Sequence, residues 1–347
     1  MSNKVVTFGE VMMRLNPPGF LRIAQTRSFD ATYAGGEVNV AIAVSNFGMP
    51  AAFVTRIPDN EVGDGCINYI RQFGVDTGHT IRGGDRLGIY FVETGASQRG
   101  NKVIYDRTGS SIASIAPGMI NWANVFNGAN WFHWTGITPA ISKGAADACL
   151  EAVKKAKEMV LTVSCDLNYR AKLWKWGETP EKVMSELVKH CDIVIGNEED
   201  AEKIFGIKAQ SVDVEKGNVG AEEYRYVCEK LAEKFPNVKL VGITLRESIS
   251  ASHNKWSAVL YDVKSKSLLS SPSYDILPIV DRVGGGDSFS GSLIYALLTY
   301  NWDLQKSLNF AVAASCIKHT IYGDALITRI DEVEKLMKGV TSGRISR

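Results

Sequence analysis

Along nearly the whole chain, short apolar runs alternate with longer stretches in which apolar residues recur at helical spacing. "KVVTFGEV" is followed by "GGEVNVAIAVSNFG", where Val38, Ala41, Ile42 and Ser45 fall on one helical face. The alternation recurs as "AAFVTRI" then "VGDGCINYIRQFG", as "LTVSCDLN" then "PEKVMSELVKHC", and as "DIVIGN" then "EEDAEKIFG", while "VKLVGITL" follows the helical "AEEYRYVCEKLAEKF". Strands separated by helices of this length pair in parallel through crossovers. The pattern therefore predicts an α/β fold with a mostly parallel, doubly wound sheet flanked by helices.

Two stretches leave this rhythm. Residues 14–34, "RLNPPGFLRIAQTRSFDATYA", and 87–107, "LGIYFVETGASQRGNKVIYDR", alternate polar with apolar or aromatic side chains and carry glycine turns. That is the mark of half-exposed antiparallel strands. They predict a small β-lid inserted into one domain spanning residues 1–347, over the carboxyl ends of the parallel strands, where open α/β sheets bind ligands. From Thr108 to Ser142 no Asp, Glu, Lys or Arg appears, yet Gly, Pro, Asn, Ser and Trp interrupt too often for a membrane helix. A mostly buried run of strands and turns is expected there, with Trp131 and Trp134 in the core.

Composition narrows the chemistry. The chain has 347 residues, 45% hydrophobic, enough for a large core, and its formal charge of +1 calls for neither nucleic acid nor a membrane surface as partner. Six cysteines at wide intervals, without a C-x-x-C pair, point to reduced, buried thiols rather than a zinc ribbon or redox dithiol. "MSNKVVTFGEVMMRL" meets Glu10 and Arg14 before a signal-peptide core forms, so a cytoplasmic location is expected.

"DRVGGGDSFSGSL", residues 281–293, carries the densest chemistry. "LPIVDRV" reads as a strand end, and from Asp287 onward Phe289, Leu293, Ala296, Leu297 and Tyr300 recur at helical spacing. The glycines thus lie at a helix N-terminus, where unpaired N–H groups gather. Without Cβ atoms at Gly284, Gly285 and Gly286, those groups can approach a phosphate closely, and Asp287 can accept a proton from a hydroxyl nucleophile. A tight turn with an N-cap carboxylate describes the same residues. A dinucleotide fold does not, because the first strand ends in "FGEVMM", without G-x-G-x-x-G.

The company this stretch keeps raises the phosphoryl-transfer reading. "AGGEVNVAIAVSNFG", residues 34–48, and "DRVGGGDSF", residues 281–289, together closely resemble the two signature regions of the ribokinase-like, phosphofructokinase-B type sugar kinases. The resemblance extends through the lid, "SCDLNYR" and "IGNEEDAEKIFG". It implies a ribokinase-like fold whose sheet domain binds ATP, a lid that closes over the sugar, and Asp287 as catalytic base beside Gly284, Gly285 and Gly286. Within that family, "DLNYR" with "VIYDRTGSSIASIAPG" looks most like the 2-keto-3-deoxygluconate kinases. This implies phosphorylation of that acid sugar at its 6-hydroxyl. A fructokinase or ribokinase acting on a neutral sugar, and a catalytically silent sugar-binding protein of the same fold, are the alternatives.

An acid sugar carries a carboxylate that a planar guanidinium grips by two hydrogen bonds, which makes Arg107 and Arg170 candidates. By the resemblance, Gly35 and Asn39 meet sugar hydroxyls, Tyr90 and Tyr105 reach in from the lid, Ile137 lines the apolar side, and Asp324 stands close to the substrate. Glu10, ending the first strand, is a further polar candidate.

Mg²⁺ is expected on the ATP phosphates, mostly through water. By the resemblance, "NEED" stands near this site, with Asn197 toward the nucleotide and Asp200 where the family has Glu, acting through water or ceding the role to Glu199; an acidic helix start describes the same residues without a metal. Thr244 and Arg246 are candidate phosphate contacts alongside Gly284 and Gly286. Where the family has a glycine-containing phosphate and ribose loop, residues 244–262 read as an altered, glycine-poor loop, with no glycine between Gly242 and Gly284, and adenine contacts near Ala311 to Ser315 stay unassigned. The resemblance also implies a monovalent cation such as K⁺ near the catalytic turn, where Asp281 either serves that site or caps the strand, and exposed lid edges suggest a dimer.

Overall fold

Six of the apolar runs become neighbouring parallel strands, in the order Ala51–Val54, Val5–Phe8, Trp131–Thr135, Thr162–Asp166, Ile193–Asn197 and Leu240–Ser250. The computed structural model describes residues 3–197, 199–209 and 221–340. The strands Val5–Phe8, Ala51–Val54 and Trp131–Thr135 are buried along their whole length, as covering of both faces requires. Helices Gly36–Asn46, Gly285–Thr299 and Leu304–Lys318 cover one face. Helices Lys143–Glu158, Pro180–Val188, Asp200–Phe205 and Ala221–Lys234 cover the other. Trp131 and Trp134 lie fully inside, one in each layer.

Local chemistry sets the helix starts. Asn60, Ser142 and Thr179 each accept a backbone N–H of the first turn, and Pro180 follows its cap where its missing N–H is harmless. Helices Gly36–Asn46 and Gly285–Thr299 are apolar almost all round and buried to match. Gly291 lets them touch: a Cβ there would lie 2.8 Å from the Ala43 Cβ and 3.0 Å from the Val40 carbonyl oxygen. Their close packing sets the two N-termini side by side.

The lid is a four-stranded sheet in the order Asp30–Ala34, Met12–Asn16, Gly88–Glu93, Lys102–Asp106. Its outer pairings are antiparallel, but its middle pair runs parallel. The two halves are separate excursions from the main sheet, so their inner strands enter the lid in the same direction.

Three expectations change. The uncharged stretch 108–142 holds only one strand, Trp131–Thr135, and is otherwise helical turns at Ser111–Ser114, Trp122–Val125 and Ile137–Ile141. Its small polar residues close single turns, as Asn121 does by accepting the Asn124 N–H. Residues 277–283 are irregular, the preceding strand being Tyr274–Ile276, because Pro278 has no N–H to extend the ladder. The glycine-poor 244–262 is no loop. Leu240–Ser250 and His253–Asp262 form a long antiparallel hairpin that extends the sheet, joined by Ser267–Ser270 and Tyr274–Ile276. Of the six cysteines, all free, five are buried and Cys316 is half-buried. Among the described residues no helix is long and apolar enough to cross a membrane.

Candidate active site

Gly284 caps the helix Gly285–Thr299 in the left-handed region, φ +82°, and an added Cβ would overlap the Asp324 carbonyl oxygen behind it. Only glycine meets both demands. Gly285 packs on the His319 ring, whereas a Cβ at Gly286 would meet nothing within 4 Å, so this side of the turn is open. Asp287 follows, half-buried, one oxygen accepting a 2.7 Å hydrogen bond from Asn39 Nδ2. Burial pushes its carboxyl up to about 6; the Asn39 bond opposes the rise, the Asp324 charge adds to it, and Arg170 and Lys318 pull it down. A base near this value is ionised at neutral pH yet still able to take a proton.

The Asn39 helix is anchored from beneath. Gly35 permits a close approach, since a Cβ there would overlap the Glu10 carbonyl oxygen. Gly36 faces Thr135, and its Cβ position lies 3.7 Å from Asp287 Oδ1. Glu37, fully buried, accepts from Thr135 N, Thr135 Oγ1 and Thr138 Oγ1 through one oxygen, while Oε2 has no partner among the described residues. Burial pushes this carboxyl up to about 7.

Behind the turn lies a buried charge cluster. Arg14 pairs with Asp324 and with Asp281, the latter at 2.5 Å, and its Nε donates to Asn16 Oδ1 at 2.6 Å. Asp324 also accepts the Tyr90 hydroxyl at 2.8 Å. Asp281 further accepts the Val283 and Gly323 N–H groups. Tyr90 and Asp324 are therefore joined to one another, and both brace the wall of the site.

Arg107 is paired with Glu10, whose other oxygen accepts from Ser110 Oγ at 2.7 Å. The Arg107 Nε is buried without a partner among the described residues, and its guanidinium lies 5.6 Å from the ring centre of the exposed Tyr105, which stacks on Tyr90. Ile137 opens its short helix half-exposed between buried neighbours. Arg170 is exposed beyond the strand Thr162–Asp166, its Nη1 on the Tyr169 carbonyl, and close enough to lower the carboxyls of Asp166, Asp200 and Asp287.

At the end of the strand Ile193–Asn197, Asn197 Oδ1 accepts from the Glu199 and Asp200 N–H groups. Both oxygens of Asp200 accept backbone N–H groups, from Tyr169 and Asn197. This carboxylate ties two strand ends together, and it reaches a cation only through its remaining lone pairs or water. Among the described residues no three His, Cys, Asp or Glu side chains stand close enough to hold a metal by themselves. Asp166 is buried with its carboxyl well above the usual range, first through desolvation and then through the charges of Asp200 and Asp287. An acid whose charge is disfavoured by two neighbouring carboxylates suits a cation that it reaches through water. Thr244 donates to the Gly196 carbonyl at 3.4 Å, and the Arg246 guanidinium lies 5.1 Å from the Trp256 ring centre.

Five residues escaped the sequence reading. Arg14, Glu37 and Lys318 are charges hidden in elements that read as lid or core, and nothing in their spacing marks them. Asp166 sits inside "SCDLNYR", where the arginine drew the attention. His319, with Nδ1 on the Ser315 carbonyl and Nε2 buried without a partner beside Gly285, is held neutral by burial, its pKa lowered to about 3. A histidine after an apolar helix gives no signal until the turn is placed on it.

Comparison with known proteins agrees with this geometry. Residues 2–329 match the model of the pfkB family carbohydrate kinases. The crystal structure of 2-dehydro-3-deoxygluconokinase from Thermotoga maritima is 48% identical, with a TM-score of 0.91 over 97% of this chain and 100% of that one. A 2-dehydro-3-deoxygalactonokinase from Haloferax volcanii is 29% identical over 99% of both chains. A 2-dehydro-3-deoxygluconokinase from Thermoproteus tenax is 26% identical over 97% of this chain and 94% of its own.

Proposed function

The chain belongs to the pfkB family of carbohydrate kinases, and we propose that it transfers the γ-phosphoryl group of ATP to the 6-hydroxyl of 2-keto-3-deoxygluconate. The observation that carries this reading is Asp287, a carboxylate with a raised pKa at the mouth of an open glycine helix start, held by Asn39 from the other signature stretch. The names of the similar kinases support the acid sugar.

In this reading the carboxylate of the sugar lies on the Arg170 side, and Arg107 presents its unpartnered Nε from the lid. Gly35 and Asn39 meet hydroxyls, with Tyr105 and Ile137 forming the apolar wall. As the 6-hydroxyl attacks, Asp287 takes its proton, while the N–H groups of Gly285, Gly286 and Asp287 face the transferred group. Asp166 and Asp200 would hold Mg²⁺ through water, where it would supply charge neutralisation for the ATP phosphates. Asn197, Thr244 and Arg246 line the nucleotide side. Unpaired thiols throughout fit a reducing cytoplasm. The exposed Phe29 and Ile104 on or beside the outer lid strands fit pairing of two copies through the lid.

The test is a coupled ATP-consumption assay with 2-keto-3-deoxygluconate, its galacto epimer, fructose and ribose, in wild type and Arg170→Ala. An acid sugar is expected to win, and Arg170→Ala to lower its kcat/KM about tenfold or more while leaving neutral sugars alone. Preference for a neutral sugar, or an indifferent variant, would overturn the acid-sugar reading.

A further inference from the structure

Lys318 ends the helix Leu304–Lys318 and has no exposed surface at all. Lysine is almost never buried so completely unless an acid pairs with it. Here, among the described residues, no carboxylate lies in ion-pair contact with its Nζ, which instead donates to two backbone carbonyls, Asp281 O at 3.1 Å and Ile321 O at 3.3 Å. Carbonyl oxygens around a single positive charge are the ligands of a monovalent cation. Burial lowers the pKa of this amine, and the charges of Asp281, Asp324 and Asp287 act against that, so acids close by favour its charged form.

The two carbonyls belong to the two turns that make the helix start. The Asp281 carbonyl opens the turn that leads to Gly284, whose own carbonyl accepts from Ser288 N and Ser288 Oγ at the first helical turn. The Ile321 carbonyl opens the turn that carries Gly323 and Asp324, and the Asp324 carbonyl backs directly onto Gly284. The ammonium therefore clamps both turns from the rear, with its charge on the inner side of the N–H groups that face the open site.

We infer that Lys318 is the built-in cation of the catalytic turn: a tethered ammonium that binds the Asp281 and Ile321 carbonyls and makes the enzyme independent of a free monovalent cation. It is a positioning residue, because it acts through the turn and not on the substrate. The inference rests on the kinase reading and replaces the K⁺ expected beside Asp281.

Wild-type turnover is expected to be the same in potassium chloride and choline chloride at equal ionic strength. Lys318→Ala opens a space lined by carbonyls. Its kcat is expected to fall about tenfold or more in choline and to recover in potassium or ammonium chloride, with a higher Tm in those salts than in choline. Lys318→Met, which fills the space without charge, should be impaired and gain nothing from either salt. Stimulation of the wild type by K⁺ would overturn the inference, as would a Lys318→Ala enzyme that is fully active in choline or indifferent to cations in both kcat and Tm. If Lys318→Ala does not fold in any salt, the wild-type comparison decides. A wild type inactive on every sugar would defeat the kinase reading alone, since the cation-dependent Tm of Lys318→Ala is read without turnover.

Discussion

Asn39 Nδ2 donates to Asp287 Oδ2 at 2.7 Å, joining residues 248 positions apart. This bond links the two glycine-rich stretches and opposes the burial that raises the Asp287 carboxyl to about 6. The acidic limb of kcat/KM is therefore expected near pH 6. Asn39→Leu removes the opposing bond and should move that limb upward. A pH–rate profile of both enzymes checks this, and an unmoved limb would show that the bond does not tune the base.

Two glycines of the same turn, Gly284 and Gly286, should behave differently. At Gly284 a methyl group meets the Asp324 carbonyl at a backbone angle that L residues rarely adopt, so Gly284→Ala is expected to lose both activity and stability, by about 1–3 kcal/mol from the backbone angle alone. Gly286→Ala has space. It should keep its Tm and weaken nucleotide binding, because the methyl points into the cradle. Calorimetry with an ATP analogue and thermal melts of both variants separate the two effects.

Arg14 has no exposed surface and holds Asp281 and Asp324 together. Arg14→Met leaves two buried carboxylates without their partner, and a loss of about 3–5 kcal/mol is expected in urea unfolding. A loss under about 1 kcal/mol, the scale of an exposed pair, would contradict the buried-cluster account.

Asp287 carries its charge at a cost to the fold. Its folded-state pKa of about 6 lies above its ordinary value of 3.8. Its contribution to stability is therefore fully present below about pH 4 and is lost as pH rises through about 6. Asp287→Asn cannot ionise. Its Tm should exceed that of the wild type at pH 8, and the gap should close toward pH 4.5. Equal Tm values at pH 8 would show that the ionised carboxylate carries no such cost.

Much of this was legible because the relevant signals are local. The alternation of "KVVTFGEV" with "GGEVNVAIAVSNFG" follows from burial on both sheet faces, and Gly284 to Asp287 were visible because a helix start with no side chains stands out. The buried charges were not legible, since Arg14 and Lys318 read as ordinary lid and helix-end cations until distant carboxylates and carbonyls close around them. Arg107 stands out by residue type, but its closure on Glu10 depends on a lid strand meeting the end of the first core strand. The hairpin at 240–262 was missed for a different reason: its exposed half, "RESIS", lacks the apolar run that marks a core strand, and its pairing partner supplies the order.

The most direct test of the central claim is turnover by Asp287→Asn with ATP and 2-keto-3-deoxygluconate, alongside sugar binding by calorimetry. The account predicts a fall in kcat of about 10²-fold or more with sugar affinity kept within about tenfold, because the lost interaction belongs to the transition state. Wild-type turnover in that variant would contradict it.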